Sequence, residues 1–406
     1  MSQGITVTPC ASVGEMTTAL DVISHYFGFR LTSEDAERWG RIHDVERMHA
    51  AKENGAIVGG TGAFNFELTV PGGRVRAAGV TVVGVLPTHR RRGILRAMMR
   101  AQLDDIHERG EPVAYLWCSE ETIYGRYGYG MASLSGEIDL PRTATAFGQP
   151  FGSRMETRML EEGEAFEPIA SVYDRVRPEY PGMFSRTEDW WKSRRLADPE
   201  SRRRGAGVLN RVVLTLDGKP EGYALYRLNQ SIEAGATTGS LVVIEAIGTT
   251  PEATRAIWRF LLDIDWIARI KASPLPVDHP LFLLLARPRL MRFRLADALW
   301  VRLVDVPAAL AARAIGPGTA VVLEVQDVFC PWNEGRYRVG EGGVERTGAA
   351  PDLRLDVSTL GAAYLSGFTF TQLARAGRVD ELRPGAARQA DALFRWDRAP
   401  WCPEVF

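Results

Sequence analysis

The sequence predicts a mixed α/β (α+β) protein of three domains, and three stretches carry that expectation. Residues 78–102, AGVTVVGVLPTHRRRGILRAMMRAQ, read as a buried strand, a basic turn and a helix. Residues 241–265 repeat the plan around a different turn. From residue 295 onward, short strands broken by glycines come before the helices. At 406 residues the chain is too long for one ordinary domain. Roughly 100–200 residues per domain suits a division into 1–135, 136–294 and 295–406.

The first domain opens with a strand at 5–8 and a helix over 15–29 that ends in Tyr26, Phe27 and Phe29. Thr32-Ser33 then reads as the cap of a second helix carrying Trp39. Strands at 47–52 and 56–70 flank Glu53-Asn54-Gly55, and an Asn-Gly of this kind signals a hairpin. Pro71-Gly72-Gly73 turns the chain into the strand at 78–86, which Pro87 ends because it has no amide for a ladder. Ile94, Leu95, Ala97, Met98, Met99 and Leu103 then share one helix face. PVAYLWC at 112–118 is a short buried strand, followed by a helix start at Ser119-Glu120-Glu121 and by the close turn IYGRYGYG at 123–130. Of Tyr124, Tyr127 and Tyr129, two are expected to pack helix on sheet and one to face the opening between strands.

In the second domain, strands lead to a helix at 166–176, and the basic, aromatic stretch 177–195 suits a helix laid over a domain face. Strands at 211–216 and 221–228 turn at Asp217-Gly218. In the third, a strand runs into a helix at 301–313, strands follow at 320–325, 333–339, 343–347 and 353–357, and helices at 358–367, 369–376 and 384–393. The chain finishes on FRWDRAPWCPEVF. Trp396, Trp401, Val405 and Phe406 are too apolar for a frayed terminus. The tail is therefore expected to dock into a groove with its α-carboxylate inside the protein; the alternative is a tail that finishes a strand against its own domain.

Composition narrows the function classes. Hydrophobic residues make up 45% and charged residues 24%, as in a soluble globular protein. A formal net charge of -1 gives no case for nucleic acid as a partner. No apolar run approaches the roughly 18 residues of a membrane span, and residues 1–10 lack the features of a secretory signal. The expectation is a cytoplasmic protein with no membrane partner. Cys10, Cys118, Cys330 and Cys402 are scattered, so neither a metal site nor a disulfide framework is expected.

The turn at 88–93 aims free backbone N–H groups and a helix N-terminus at one point, with Arg90, Arg91 and Arg92 around it. Such a point binds phosphate; the plain alternative is a basic helix start with solvated arginines. Neither GxGxxG nor GxxxxGK[ST] can be written across the segment. Residues 90–95 instead resemble RxxGx(G/A), the pyrophosphate loop of the GNAT superfamily of N-acetyltransferases, departing from it at Leu95. In the second copy Glu252 stands in the turn where the first has arginines, and an acid repels a pyrophosphate. The central domain thus reads as a degenerate repeat that does not bind the coenzyme, a coincidental strand-turn-helix being the alternative.

PTHRRRGILRAMM, SEETIYGRYGYG, the degenerate repeat, the sterol-carrier-like order of DLRLDVSTLGAAYLSGFTFTQLARAGRV and the terminal Phe406 together resemble the Eis (enhanced intracellular survival) acetyltransferases. The resemblance implies tandem GNAT folds followed by a sterol-carrier-protein-like α+β domain. It implies acetyl-coenzyme A as co-substrate, small-molecule amine acceptors of the aminoglycoside kind, and a homo-hexamer. It also implies that backbone at Val83 and Val85 pairs with pantetheine, that Arg90, Arg91, Gly93, Leu95 and Arg96 hold the phosphates, and that Ser119 lines the thioester site. Tyr124 becomes the general acid and the Phe406 carboxylate the general base.

Acyl transfer asks for these roles on its own account. An aliphatic amine has a pKa near ~10.4 and attacks only when neutral, so a base must take its proton. Burial raises a carboxylate toward that use. A phenol can protonate the departing thiolate, and backbone N–H groups can hold the oxyanion. Tyr26, Phe27, Trp39 and Glu404 are candidates for an acceptor pocket, because aromatics and acids suit a polycation; each can equally be structural. Cys118 reads as core and His89 as solvent-facing. A lipid-binding or scaffold protein using the sterol-carrier-like region is the second reading.

Overall fold

The computed structural model describes residues 4–24, 28, 32–203 and 205–406. β1 (Ile5–Pro9) leads to α1 (Val13–Ser24) and α2 (Ser33–Ile42). α2 starts at Thr32, whose hydroxyl accepts from the Asp35 amide while the Asp35 carboxylate accepts from the Thr32 amide, a reciprocal cap for two orphan donors. β2 (Met48–Glu53) and β3 (Ala56–Val70) meet at Asn54 and Gly55, with φ of 51° and 82°. That left-handed pair is what a two-residue hairpin needs. β3 pairs along its length with β4 (Gly73–Val85). α3 (Ile94–Glu108), β5 (Val113–Trp117), α4 (Glu121–Tyr124) and β6 (Gly130–Met131) follow.

The next strands are β7 (Leu134–Pro141) and β8 (Glu156–Met159), then α5 (Phe166–Val176), α6 (Glu188–Trp190) and α7 (Glu200–Arg203). The single helix expected over 177–195 is broken into a 3-10 turn, α6 and a π turn. Pro178 and Pro181 each remove an amide donor, and Gly182 sits at φ 102°. β9 (Asn210–Leu216) and β10 (Lys219–Asn229) form the hairpin at Asp217-Gly218, and β11 (Ile232–Glu233) pairs β12 (Ala236–Thr237). β13 (Ser240–Gly248), α8 (Pro251–Asp263), β14 (Arg269–Leu275), α9 (Leu281–Leu284) and β15 (Arg294–Asp297) complete the second sheet, ordered β15-β7-β14-β13-β10-β9-β8.

β16 (Leu299–Leu303), expected to open the third domain, instead inserts into the first sheet, whose order is β1-β2-β3-β4-β5-β16-β6. All five residues of β5 find antiparallel partners in it, from Leu299 opposite Trp117 to Leu303 opposite Val113. The strand thus satisfies the whole edge that β4 leaves open. α10 (Val306–Ala311), β17 (Val321–Gln326), β18 (Gly335–Gly340), β19 (Gly343–Arg346), β20 (Leu353–Asp356), α11 (Val357–Tyr364), α12 (Phe370–Arg375), β21 (Val379–Glu381) and α13 (Ala386–Phe394) form the sterol-carrier-like part around a sheet ordered β19-β18-β17-β20-β21. α11 is buried at every residue. It lies directly on β16 and β6: a Cβ on Gly361 would collide with the Val301 carbonyl oxygen, and one on Gly130 would come within 2.8 Å of the Ala362 nitrogen. Two units result, one of residues 1–133, 298–397 and 406, the other of 134–297 and 398–405.

Candidate active site

In the first unit, β4 and β5 run parallel but pair only across three residues, Ala77, Ala78 and Gly79 opposite Val113, Ala114 and Tyr115. Beyond Gly79 the strands part, and β4 continues to Val85 held by β3 on its other edge. The β3–β4 register slips here: Thr81 faces Gly62 and Gly84 faces Gly60, so Val82 and Val83 share Thr61. Val82 takes φ 47°. A β-branched residue at positive φ is a strained outlier, which persists where the surroundings dictate it. The bulge bends β4 away from β5 and opens a wedge in the sheet.

At the far end of β4 the chain makes a 3-10 turn, Pro87–His89, and passes Arg91 at φ 62° and Gly93 at φ 81° before entering α3. A Cβ on Gly93 would meet nothing within 4 Å, so its backbone conformation is what requires glycine. The Gly93 carbonyl accepts the Ala97 amide at 3.0 Å, and no side chain caps the helix. The first-turn N–H groups of Ile94, Leu95 and Arg96 therefore have no helical acceptor. Glu53 pins the turn, accepting from Arg92 at 3.1 Å and lying 3.2 Å from His89 Nε2. His89, expected to face solvent, is half-buried there. Arg90 and Arg91 are exposed and make no ion pair among the described residues. Arg96 is exposed, with its guanidinium 5.2 Å from the centre of the Phe329 ring. Leu95 packs with Val83, Val85 and Ile94, so only its main chain is offered to an anion.

Past β5, Cys118 is half-buried and Ser119 exposed. Tyr124, Tyr127 and Tyr129 are all buried, so none is the exposed tyrosine expected from the sequence. Tyr124 belongs to the apolar cluster that holds Ala78 and Val80 of β4 and Leu116 of β5. Its ring lies edge-on to Tyr129 at 5.9 Å. Burial first, then the neighbouring Cys118, Tyr127 and Glu120, push its phenol well above the ordinary value. The phenol therefore stays protonated through neutral pH.

Phe406 closes the narrow end of the wedge. Its ring meets Tyr115 edge-on at 5.0 Å and Phe66 at 5.3 Å. A Cβ on Gly79 would collide with the Phe66 ring and stand 3.2 Å from Phe406 Cε2, so the Phe66 ring is what requires glycine at the last paired position. The aromatic row continues from Phe66 to Phe64 at 5.5 Å and from Phe64 to Trp39, stacked at 5.5 Å. Trp39 is thus joined to Phe406 through packed rings. Tyr26 and Phe27 lie outside the described residues. Glu404, in the second unit, is already engaged: Trp190 Nε1 donates to it at 3.0 Å, and Arg186 and Arg194 reach it at 3.0 and 3.3 Å.

Sequence reasoning missed Phe64, Phe66, Gly79, Val82 and His43. Phe64 and Phe66 were readable, since residues two apart on a strand share a face. So was Gly79, because a lone strand glycine marks a close approach. His43 packs on Phe64 at 5.2 Å. Its Nδ1–H donates to the Asp44 carbonyl at 2.9 Å, its Nε2 is buried without a partner, and burial lowers the ring to about 4.

Residues 11–132 and 182–303 each match an acetyltransferase (GNAT) domain, and residues 306–403 match a sterol carrier protein domain. An uncharacterized N-acetyltransferase of Streptomyces avermitilis is 42% identical over 392 residues, 95% of each chain. N-acetyltransferase Eis of Mycobacterium tuberculosis is 34% identical over 358 residues, 84% of each chain. Among solved structures, Eis1 of Mycobacterium abscessus matches with a TM-score of 0.86 at 36% identity, covering 99% of this chain and 100% of that one. A GCN5-related N-acetyltransferase of Anabaena variabilis shares the fold, with a TM-score of 0.83 at 21% identity and the same coverage.

Proposed function

Because the chain belongs to the Eis-like N-acetyltransferases of the GNAT superfamily, we propose that it moves acetyl from acetyl-coenzyme A onto amines of an aminoglycoside-like polyamine, or onto lysine side chains, by direct attack. The observation that carries this reading is the seat of Phe406 at Gly79 and Tyr115, the pair at which β4 and β5 part.

The coenzyme brings the thioester, and the residues of the chain bind, orient and move protons. Main chain at Val83 and Val85 pairs the pantetheine arm along the side of β4 that has left β5. First-turn N–H groups at Leu95 and Arg96, with Gly93, take the pyrophosphate, and Arg90 and Arg91 balance its charge. Ser119 lines the thioester end. The Phe406 side chain packs edge-on to Tyr115 and Phe66, and its α-carboxylate takes the role of base, for which a poorly solvated setting is what raises a carboxylate's affinity for a proton. It takes the ammonium proton, the freed nitrogen lone pair attacks the acetyl carbon, and the Tyr124 phenol protonates sulfur as the C–S bond breaks. Trp39, half-buried at the end of the aromatic row, offers a π face to a polycation. Glu404, with its charge committed to Arg186 and Arg194, is left to brace the tail.

A panel of amines with acetyl-coenzyme A, read by thiol release, tests the reaction. Removing Phe406 or adding a C-terminal tag should abolish turnover while calorimetry still detects coenzyme binding. Unchanged turnover would rule out the terminal base. The lipid-binding or scaffold reading draws on the sterol carrier match; it requires lipid carried through purification and no acetyl-coenzyme A binding. The proposed assembly is a homo-hexamer, which light scattering reads.

A further inference from the structure

The second unit keeps the opening of a GNAT sheet but has changed its chemistry. β13 and β14 pair in parallel only across Ser240–Val243 and Arg269–Ala272. β13 then continues to Gly248 along β10, while β14 turns irregular before Leu275 meets Gly136 of β7. The strands enclose a cleft of about 430 Å³, a size that suits a small organic ligand.

Its helix end no longer suits a pyrophosphate. The Thr250 hydroxyl accepts the Ala253 amide at 3.0 Å, Pro251 has no amide, and Glu252 adds negative charge to the first turn. The phosphate cradle has been capped and reversed in sign.

The remaining polar lining sorts by what is already satisfied. Glu245 is held by Arg186 and Arg195 at 2.7 Å each and by the Tyr223 hydroxyl. Glu179 is paired with Arg398 at 2.6 Å, and Asp278 accepts the Ala399 amide at 3.3 Å. The Trp401 indole N–H donates to the Pro274 carbonyl at 3.0 Å, which leaves its ring as an apolar surface. Besides the Ser273 hydroxyl, two groups remain. Arg255 lines the cleft and makes no hydrogen bond or ion pair among the described residues; its Nε is buried without a partner, and its guanidinium lies 4.3 Å from the centre of the Phe151 ring. His279 is buried, and its Nδ1 accepts the Leu281 amide at 3.2 Å. The ring proton is therefore on Nε2, as a donor. Burial lowers the ring to about 3 and keeps it neutral.

Glu245 and Glu179 are ion-paired and Asp278 accepts a backbone amide, whereas the uncommitted groups are a cation, an N–H donor and the Ser273 hydroxyl. Val243, Ala246, Leu275, Leu284 and the Trp401 ring supply apolar wall. We propose that this cleft binds a small organic acid with an apolar body, its carboxylate paired with Arg255 and hydrogen-bonded by His279, and its hydrocarbon part against Trp401 and Leu275. An unpaired guanidinium next to apolar surface gains most from such a ligand, since a carboxylate takes two of its N–H groups at once.

The test is calorimetric titration of the full-length protein with 4-phenylbutyrate and, in parallel, with its uncharged amide. Saturable binding of the acid is expected, weaker by about tenfold or more for the amide and for Arg255→Gln, with acetyl-coenzyme A affinity unchanged in the variant. Ala246→Leu, which fills the cleft without touching a charge, should remove binding of the acid while the melting profile is retained. Equal binding of acid and amide, full affinity in Arg255→Gln or in Ala246→Leu, or no saturable binding up to about 10 mM would each overturn the proposal. The coenzyme titration is read separately, so failure here leaves the first site standing.

Discussion

Gly79→Ala probes the seat of Phe406 with a single methyl group. A Cβ at this position would stand 2.5 Å from Phe66 Cδ2 and 3.2 Å from Phe406 Cε2. Carbon atoms pack at about 3.5–4.0 Å, so the Phe66 ring must retreat by about 1 Å or more. It has little room to do so, because Phe64, Tyr115 and Phe406 surround it with ring centroids at 5.5, 6.1 and 5.3 Å. Overpacking of this kind costs about 1–3 kcal/mol. At roughly 2–4 °C per kcal/mol for a unit of this size, the melting temperature should fall by about 2–12 °C. The catalytic effect should be larger, since a displacement of about 1 Å in a reacting group costs on the order of 10²-fold in rate. Steady-state kcat at saturating amine, beside the acetyl-coenzyme A dissociation constant from calorimetry, separates the two. We expect kcat to drop about a hundredfold with coenzyme affinity retained, because Gly79 lies in the middle of β4 and the turn at residues 87–93 follows the strand's end at Val85. Wild-type kcat and melting temperature in Gly79→Ala would refute the placement of Phe406 as the reacting terminus.

Two further outcomes follow from charges in the structure. Tyr124→Phe should lower kcat by about 10²–10⁴-fold and leave acetyl-coenzyme A affinity intact; a wild-type kcat removes Tyr124 from the acid role. In the second unit, burial alone would raise the Glu245 carboxyl, but Arg186, Arg195 and the Tyr223 hydroxyl outweigh it and hold the group at about 2, against an ordinary 4.5. A carboxyl depressed on folding contributes stability that is full above pH 4.5 and is lost as pH falls toward 2. Denaturant titrations at pH 7 and pH 3 should show that loss. Glu245→Gln should reduce it, leaving the share of other depressed carboxyls such as Glu404 and Asp198, while costing on the order of 3–5 kcal/mol at pH 7 by leaving buried arginines short of a partner; an unaltered pH dependence in the variant counts against the ion cluster.

Local rules wrote much of this molecule into its sequence. Asn54-Gly55 and Asp217-Gly218 announce hairpins, Thr32 announces a helix start, and the Pro87-to-Gly93 turn ahead of an apolar helix face announces an anion cradle. Each depends on dihedral preferences or hydrogen bonds that span about four residues, so the chain carries the information wherever it goes. The repeat of strand, turn and helix at 241–265 was legible for the same reason, as was the change of charge at Glu252. Arg177–Arg195 misled because its aromatic and basic composition suits a helix while Pro178, Pro181 and Gly182 forbid one.

Which distant pieces share a neighbourhood was a different kind of question, and only the tertiary structure decided it. Gly79, Phe66, Tyr115 and Phe406 meet because β4 and β5 part after three paired residues, and nothing local to any of the four sets that point. The strain at Val82 comes from a register slip against Gly60 and Gly62, and β16 joins the first sheet because β5 had an unsatisfied edge. Glu404 looks like a pocket acid in the sequence, but Arg186 and Arg194 hold it. The sequence by itself determined most of the elements, their turns and the basic turn that opens α3. Packing and ladder satisfaction, which act between residues far apart in the chain, decided where the wedge opens, what closes it, and which charges are left over to bind something else.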